Sequence, residues 1–472
     1  MVFSTPIFIL CFLPVVLVLY YFRPLHMGNV ILVIFSLLFY AWGEPVVVFL
    51  MILSIVVNWS CGILMNVSSS TPDTRKNVLA LSIIFNIGLL IVFKYTGFIV
   101  ENINAVLGKT IFTIPNISLP IGISFFTFQA MSYVIDVYRA ETPVNRNILD
   151  VALYISFFPQ LIAGPIVRYH DISEQIKNRT HSTAKFASGV SRFVIGLSKK
   201  VLIANVMAKL CDTVYALPAD NLTTALAWFG AMAYMLQIYF DFSGYSDMAI
   251  GLARLFGFEL LENFNYPYIS RSIREFWKRW HISLSTWFKD YLYIPLGGNR
   301  KGLERTYLNQ FVVMLLCGLW HGASWTFVVW GVYHALFLML EKAYIGNSLR
   351  KLWRPFQHIY VILMVLIGWV FFRAESIKEA FSFLGCMFGS SNTVNNPLLH
   401  YLTPEMILIF IVGIIASTPV LPWINKKISS LSNIRLRDGI LWGSSAVNFI
   451  LLLLSLAAVS GSTYNPFIYF RF

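Results

Sequence analysis

The chain has 472 residues, 57% of them hydrophobic and 12% charged, with a formal net charge of +13 and a mean hydropathy of +0.69. A water-soluble domain carries about a quarter of its residues as charge, so this composition excludes one and points to a protein of the bilayer. The positive balance does not require a nucleic-acid partner, because the basic side chains gather in loops beside apolar runs, where membrane topology accounts for them.

Apolar runs at residues 5–22, 45–65, 78–93, 404–421 and 441–459 each approach the roughly 20 residues that a helix needs to cross a bilayer core. Read along the whole chain, the pattern predicts about eleven spans. No basic residue precedes the first run, and Arg23 follows it without a small-residue cleavage pattern. That run is therefore expected to stay as a span with its amino end outside. The five cysteines include no CxxC pair, so they read as packing residues and neither a metal site nor a disulfide frame is predicted. No linker composition or internal repeat divides the chain, and a single membrane domain over 1–472 is expected.

Polar stretches interrupt the spans. The segment FFPQLIAGPIVRYHD, with Gln160, Gly164, Pro165 and Arg168, resembles a helix end where broken backbone could line a cavity. Arg168 to Lys200 reads as a cytoplasmic loop leading into a helix. A span over 224–239 ends in YFDFSGYSD. Its Asp241 and Asp247, with Ser243 and Ser246 beside them, could line a substrate path or pair with a basic residue such as Arg254. The connection from Glu262 to Arg305 holds eight basic against four acidic side chains, Arg279, Lys289 and Asp290 among them, together with Phe276, Trp277, Trp280 and Trp287. It belongs on the cytoplasmic side, in helices that lie in the interface or dip partway into the membrane. Its cations, together with the chain's overall positive balance, could hold a polyanionic cytoplasmic ligand such as the phosphates of coenzyme A.

The apolar segment from Gln310 to Leu340 would measure about 46 Å as one straight helix against a core of roughly 30 Å, so it is predicted to bend or break near Gly318, Gly322 or Gly331. His321, in CGLWHGASW after Trp320 and before small residues, then lies about 16 Å from Gln310 along the helical rise. A neutral imidazole at membrane depth suits general-base work on a hydroxyl, or else is a buried histidine bonded to a backbone carbonyl. His281, in FWKRWHISLSTWFKD, sits at the edge of the basic connection. His334 falls about 220° round a continuous helix from His321 and reads as structural. No GxSxG, GxxxxGK[ST], HExxH or GxGxxG pattern is present. The residues alone leave enzyme and transporter both open.

The segments FWKRWHISLSTWFKDYLYIPLGGNRKG (276–302) and CGLWHGASWTFVVWGVYHA (317–335) resemble the membrane-bound O-acyltransferases, in the branch named for alginate O-acetylation. LPIGISFFTFQAMSYVIDVYR, FFPQLIAGPIVR, IYFDFSGYSDMAIGLARLFGF and the ending NPFIYFRF extend the resemblance nearly end to end. It implies an all-α polytopic membrane protein, a ring of about 11 helices around a thin core with re-entrant or interfacial helices. It implies catalysis by His321, with His281 at a second position that is His or Asn in some branches, and a donor path that could include Trp320, Arg279, Trp280, Lys289, Asp290, Asp241 and Ser243. It also implies acetyl-CoA as cytoplasmic donor, no bound cofactor, and an SGNH-hydrolase-like partner that places the ester on an extracytoplasmic polysaccharide. The setting is then the cytoplasmic membrane of a bacterium. A teichoic-acid D-alanylation branch shares the RWH and WHG elements, but YIPLGGNRKG is closer to the alginate type. A transporter or a scaffold for polysaccharide export are the non-enzymatic alternatives.

Overall fold

The computed structural model describes residues 1–67, 70–389, 398–430, 434–461 and 464–467. The last five residues of NPFIYFRF lie outside them. Among the described residues the secondary structure is helical. The chain packs as two compact units, one of Met1–Phe193 with Ala249–Leu261 and one of Val194–Met248 with Glu262–Phe472.

Among the described residues five helices are long and apolar enough to cross a membrane, and a sixth span arises if the bent pair Pro404–Ala416 and Val420–Ile428 counts as one. Two shorter apolar helices lie over Phe8–Tyr21 and Gly28–Ala41. The expected count of about eleven includes segments that the structure builds as shorter or more polar helices.

In the first unit, α1 (Val47–Met65), α2 (Pro72–Leu107, through a π-turn at Ile91–Tyr95) and α3 (Ile123–Tyr138) pack on one another. Lipid tails are as apolar as leucine, so such helices need polar or close-packed contacts to associate. Asn58 of α1 supplies one: its Oδ1 accepts from Asn86 Nδ2 at 2.7 Å and from Ser82 Oγ at 2.8 Å, both on α2. The segment expected to be broken is so. A helical turn at Phe158–Leu161 gives way to extended chain, buried from Phe157 to Val167. Gln160 Nε2 donates to the Tyr154 carbonyl at 2.6 Å and Arg168 grips Asp171 through two nitrogens at 2.8 Å. Most of the following polar stretch is helical rather than loop.

In the second unit, α4 (Thr224–Leu255), whose last residues belong to the first, runs on through the YFDFSGYSD motif instead of ending in it. Two carboxylates can stay inside that helix because lysines meet them. Lys199 Nζ lies 2.7 Å from Asp247 and Lys200 Nζ 2.5 Å from Asp241. The partners are thus Lys199 and Lys200, not Arg254. Gly244 permits the approach, since a Cβ there would lie 2.8 Å from the Gly196 carbonyl oxygen.

The basic connection folds into α5 (Ile273–Arg279) and α6 (Ile282–Phe288), and α7 (Gly302–His321) and α8 (Trp325–Leu340) follow. The predicted break between Gln310 and Leu340 is a full reversal. The chain turns at Gly322–Ser324, the Ser324 hydroxyl accepting from Thr326 N–H to start α8, and the two helices return antiparallel. The turn needs no bent span because Gly318 and Gly331 let the backbones touch: a Cβ on Gly331 would lie 2.6 Å from the Met314 carbonyl oxygen, and one on Gly318 would run into the Phe327 carbonyl. Gly318→Val should therefore splay the hairpin and cost about 1–3 kcal/mol, as overpacking does. Thermal unfolding in detergent checks this as a lowered midpoint. α9 (Arg354–Arg373) packs antiparallel on α8, pairing Tyr333 with the Met364 carbonyl at 2.9 Å and Trp330 with Trp369 in a stack at 6.0 Å.

Candidate active site

His321 is the last residue of α7, at the hairpin turn, and is 5% exposed. Its ring is enclosed by Trp320 at 5.0 Å, Trp330 of α8 at 5.2 Å and Phe372 of α9 at 5.1 Å between centroids. His281 also lies against Trp320, with ring centroids 6.0 Å apart. Two histidines separated by forty residues in the chain thus contact one indole.

His281 is fully buried and sits at φ +43° and ψ +56°, a left-handed conformation that costs a residue with a Cβ about 1–3 kcal/mol and persists where surrounding contacts over-determine it. Asn263 supplies those contacts. Its Oδ1 faces His281 Nδ1 at 3.1 Å, Ser283 N–H at 3.2 Å and Ser283 Oγ at 2.9 Å, while its Nδ2 donates to Ser246 Oγ at 3.0 Å. An oxygen that already accepts from a backbone N–H must accept from the imidazole too, so the proton of neutral His281 is on Nδ1. Nε2 then carries a bare lone pair, and it has no hydrogen-bond partner among the described residues. Asn263 was absent from the residues singled out in the sequence. The LENF segment that carries it gives no sign of a bond eighteen residues away.

At the opposite end of the α8–α9 pair are two cavities. One of 510 Å³ is lined by Arg271, Arg274, Lys342 and Arg350 with Glu275 and Glu341. A second of 360 Å³ shares Arg274 and Lys342 and adds Ser285, Lys289, Tyr293 and Gln310. The Glu341 carboxylate is occupied by the N–H groups of Ile273 and Arg274, at 2.6 and 3.1 Å, at the start of α5. The cavities therefore present a cationic face. From Lys342 to Trp330, beside His321, is about 18 Å along α8. Rings of Trp277, Trp330 and His334 cluster at the His321 end of that length, mutually 5.0 to 5.6 Å apart. Both nitrogens of His334 and both indole N–H groups lack partners among the described residues.

The remaining predicted residues fall in different places. Lys289 lines the 360 Å³ cavity and is 65% exposed at its side chain, 3.9 Å from Asp290. Arg279 pairs with Glu275 at 2.9 Å and donates to the Asn265 carbonyl at 3.0 Å, which makes it a brace for α5. Trp280 packs on Phe276 and Trp369. Asp241 is held by Lys200, and Ser243, 2% exposed, has a hydroxyl with no partner among the described residues. Arg271 and Arg274 belong to the basic connection expected to hold such a ligand, whereas Lys342 and Arg350 are cavity cations that lie beyond it. Lys342 lies at the far end of an apolar helix, where it reads as a topological charge. Outside this site, Asp136, Glu141 and His170 offer three possible ligand atoms within 4.8 Å of one another. Asp136 bonds His170 Nδ1 at 3.0 Å and raises the imidazole pKa, which describes an ion pair.

The membrane-bound O-acyltransferase family model matches residues 46–382, covering α5 to α9 with both histidines. The chain belongs to the membrane-bound O-acyltransferase family. It is thus a multi-pass membrane O-acyltransferase. A probable alginate O-acetylase AlgI of Azotobacter vinelandii is 41% identical over 502 residues, covering all of both chains. A peptidoglycan O-acetyltransferase of Helicobacter pylori is 36% identical over 442 residues, 86% of this chain and 82% of its own. A teichoic acid D-alanyltransferase of Bacillus subtilis is 28% identical over 250 residues, 49% of this chain and 60% of its own. The transporter and scaffold alternatives give way to an acyltransferase, and the O-acetylating relatives match over far more of the chain than the D-alanylating one.

Proposed function

We propose that this O-acyltransferase moves the acetyl group of cytoplasmic acetyl-CoA to a hydroxyl of a cell-surface polysaccharide or peptidoglycan, with His321 as general base, in the cytoplasmic membrane of a bacterium. His321 takes the proton of the acceptor hydroxyl as its oxygen attacks the thioester carbonyl. The C–S bond breaks, and the departing thiolate recovers the proton from the imidazolium, leaving an ester and a thiol. His281 is oriented by Asn263 so that its bare Nε2 accepts a hydrogen bond from the bound donor. The SGNH-hydrolase-like partner implied by the resemblance would act on the same polymer outside. The ring of about eleven helices around a thin core belongs to this reading, since it lets donor and acceptor meet without either crossing.

The observation that carries the proposal is the placement of a cationic cavity at one end of the α8–α9 pair and His321 at the other, beside a cluster of buried rings whose polar atoms lack partners among the described residues. A nucleotide donor needs its phosphates held by cations while a flexible arm reaches inward. Arg274 and Lys342 face both cavities, so Arg274→Gln with Lys342→Gln removes two charge-assisted contacts. Hydrogen bonds to charged groups contribute about 1.5–3 kcal/mol, so KM for acetyl-CoA should rise about tenfold or more with kcat little changed. The residual donor dependence should also respond less to salt. Steady-state transfer by protein in lipid nanodiscs measures this, and an unchanged KM would remove the phosphate-binding role.

A further inference from the structure

The first unit carries a group of cations that the transfer chemistry does not use. The apolar helix Phe8–Tyr21 runs out into Phe22 and Arg23, and by the charge rule that end faces the cytoplasm. The chain turns over Leu25–Met27 and enters the helix Gly28–Ala41. Arg179 and His181, from the later polar stretch, return to the same corner. Arg179 Nε donates to the Tyr20 hydroxyl at 2.8 Å and His181 Nε2 lies 3.0 Å from it, while the hydroxyl itself donates to the Phe256 carbonyl at 3.1 Å.

Two of these cations close over one point. A Cβ on Gly28 would lie 2.6 Å from Arg23 Nε, 2.8 Å from Arg23 Nη2 and 3.0 Å from Arg179 Nη2, so glycine keeps the space between the two guanidinium groups open. Their hydrogen bonds among the described residues go to neutral oxygens. Arg23 Nη1 donates to the Tyr20 carbonyl, and Arg179 Nη1 donates to Asn29 Oδ1 at 2.7 Å and to the Ile176 carbonyl at 3.1 Å. Arg23 Nε, the atom nearest that point, is buried with no partner among the described residues. Two acids border the group and both are engaged, Asp150 with Asn29 at 2.8 Å and Glu259 with Lys185 at 3.0 Å. The unneutralised field is visible at His181, whose imidazole is pushed below its ordinary value by burial and then by Arg179, Arg23 and Lys185. No side chain caps the start of the helix Gly28–Ala41, so its first N–H groups add partial positive charge at the same point. Like charges gathered in this way are stabilised by an anion between them.

We propose that Arg23 and Arg179 hold the phosphate of an anionic phospholipid of the inner leaflet at the start of the helix Gly28–Ala41, with the acyl chains lying along Phe8–Tyr21. Guanidinium N–H groups match phosphate oxygens in geometry and charge. The apolar surroundings select a lipid over a soluble phosphate: Val15, Val18 and Leu19 are exposed on the helix, and Phe22, next to Arg23, is 86% exposed. The cytoplasmic leaflet is also where anionic headgroups draw basic side chains. A lipid held here ties the end of the first apolar helix to the polar stretch that carries Arg179. The site stands apart from His321 and does not depend on the reading of that residue.

The test is native mass spectrometry of the full chain in detergent with dioleoylphosphatidylglycerol or dioleoylphosphatidylcholine, which share acyl chains and differ in charge. The tightest-held lipid should be one phosphatidylglycerol per chain, bound about tenfold or more above phosphatidylcholine, whose choline cation meets the same arginines. Arg23→Gln with Arg179→Gln should lower phosphatidylglycerol affinity about tenfold or more, as expected for two lost charge-assisted contacts. The lipid should also raise the thermal midpoint of the wild type and not of this variant. If the double variant does not fold, Gly28→Ala, which keeps both charges and fills the point between them, should weaken phosphatidylglycerol in the same direction. Inorganic phosphate and coenzyme A in excess should leave the lipid in place. Equal retention of the two lipids, phosphatidylglycerol binding indifferent to both variants, or displacement of the lipid by inorganic phosphate or coenzyme A would overturn the proposal.

Discussion

His321→Ala should lower acetyl transfer by about 10²–10⁴-fold, the range that a positioned general base contributes, with the protein still inserted and its donor affinity close to wild type. The physical reason is position. The imidazole ends α7 at a reversal, enclosed by Trp320, Trp330 and Phe372, so truncation removes the group that exchanges protons and leaves the hairpin's glycine contacts in place. A cavity of imidazole size would remain in the ring cluster, which makes a modest fall in thermal midpoint the expected side effect. The discriminating readout is the split between kcat and donor KM. Loss in kcat with KM preserved marks an interaction made in the transition state, whereas a rise in KM alone would make His321 a binding residue.

The second large effect is expected at His281 and its holder. Asn263→Ala removes the oxygen that fixes the Nδ1 proton, so the imidazole can rotate or change tautomer and Nε2 no longer presents its lone pair. An orphaned buried group costs about 1–3 kcal/mol, which is about 5- to 150-fold in rate if that lone pair acts in the transition state. His281→Asn separates backbone from chemistry. Asparagine enters the left-handed region readily, and alanine does not, so His281→Asn should keep the wild-type thermal midpoint more closely than His281→Ala. If both lose activity equally while only the alanine variant is destabilised, the imidazole matters for transfer and the turn matters for folding. Equal stability of the two would mean that the positive φ places no constraint on residue 281.

The sequence was legible wherever chemistry is local to a short motif. Apolar runs marked several of the long helices, and Gly318, Gly322 and Gly331 announced a break in an overlong segment. They did not show that the break is a reversal, because that depends on Gly318 meeting Phe327 and Gly331 meeting Met314 across the turn. The aspartates of YFDFSGYSD were visible as costly charges, but their lysines come from a segment about forty to fifty residues earlier and no periodicity links them. Arg279 illustrates the converse: a cation in the right loop whose guanidinium is already committed to Glu275 and a backbone carbonyl. Asn263 carries no motif of its own, and only folding shows that it holds His281. Spans were harder to count than to find, since segments such as α4 keep charges that pair inside the protein and so read neither as loop nor as apolar helix.

The most direct measurement is the acetyl ester content of extracted envelope and secreted polymers, comparing wild type, a deletion strain, and the deletion complemented with wild-type protein or with His321→Ala at matched membrane levels. Ester that is lost on deletion, restored by the wild-type protein and not by His321→Ala, is the predicted result, and it names the polymer. Restoration by His321→Ala would contradict the account, because the ester would then form without the imidazole on which the proposed transfer depends.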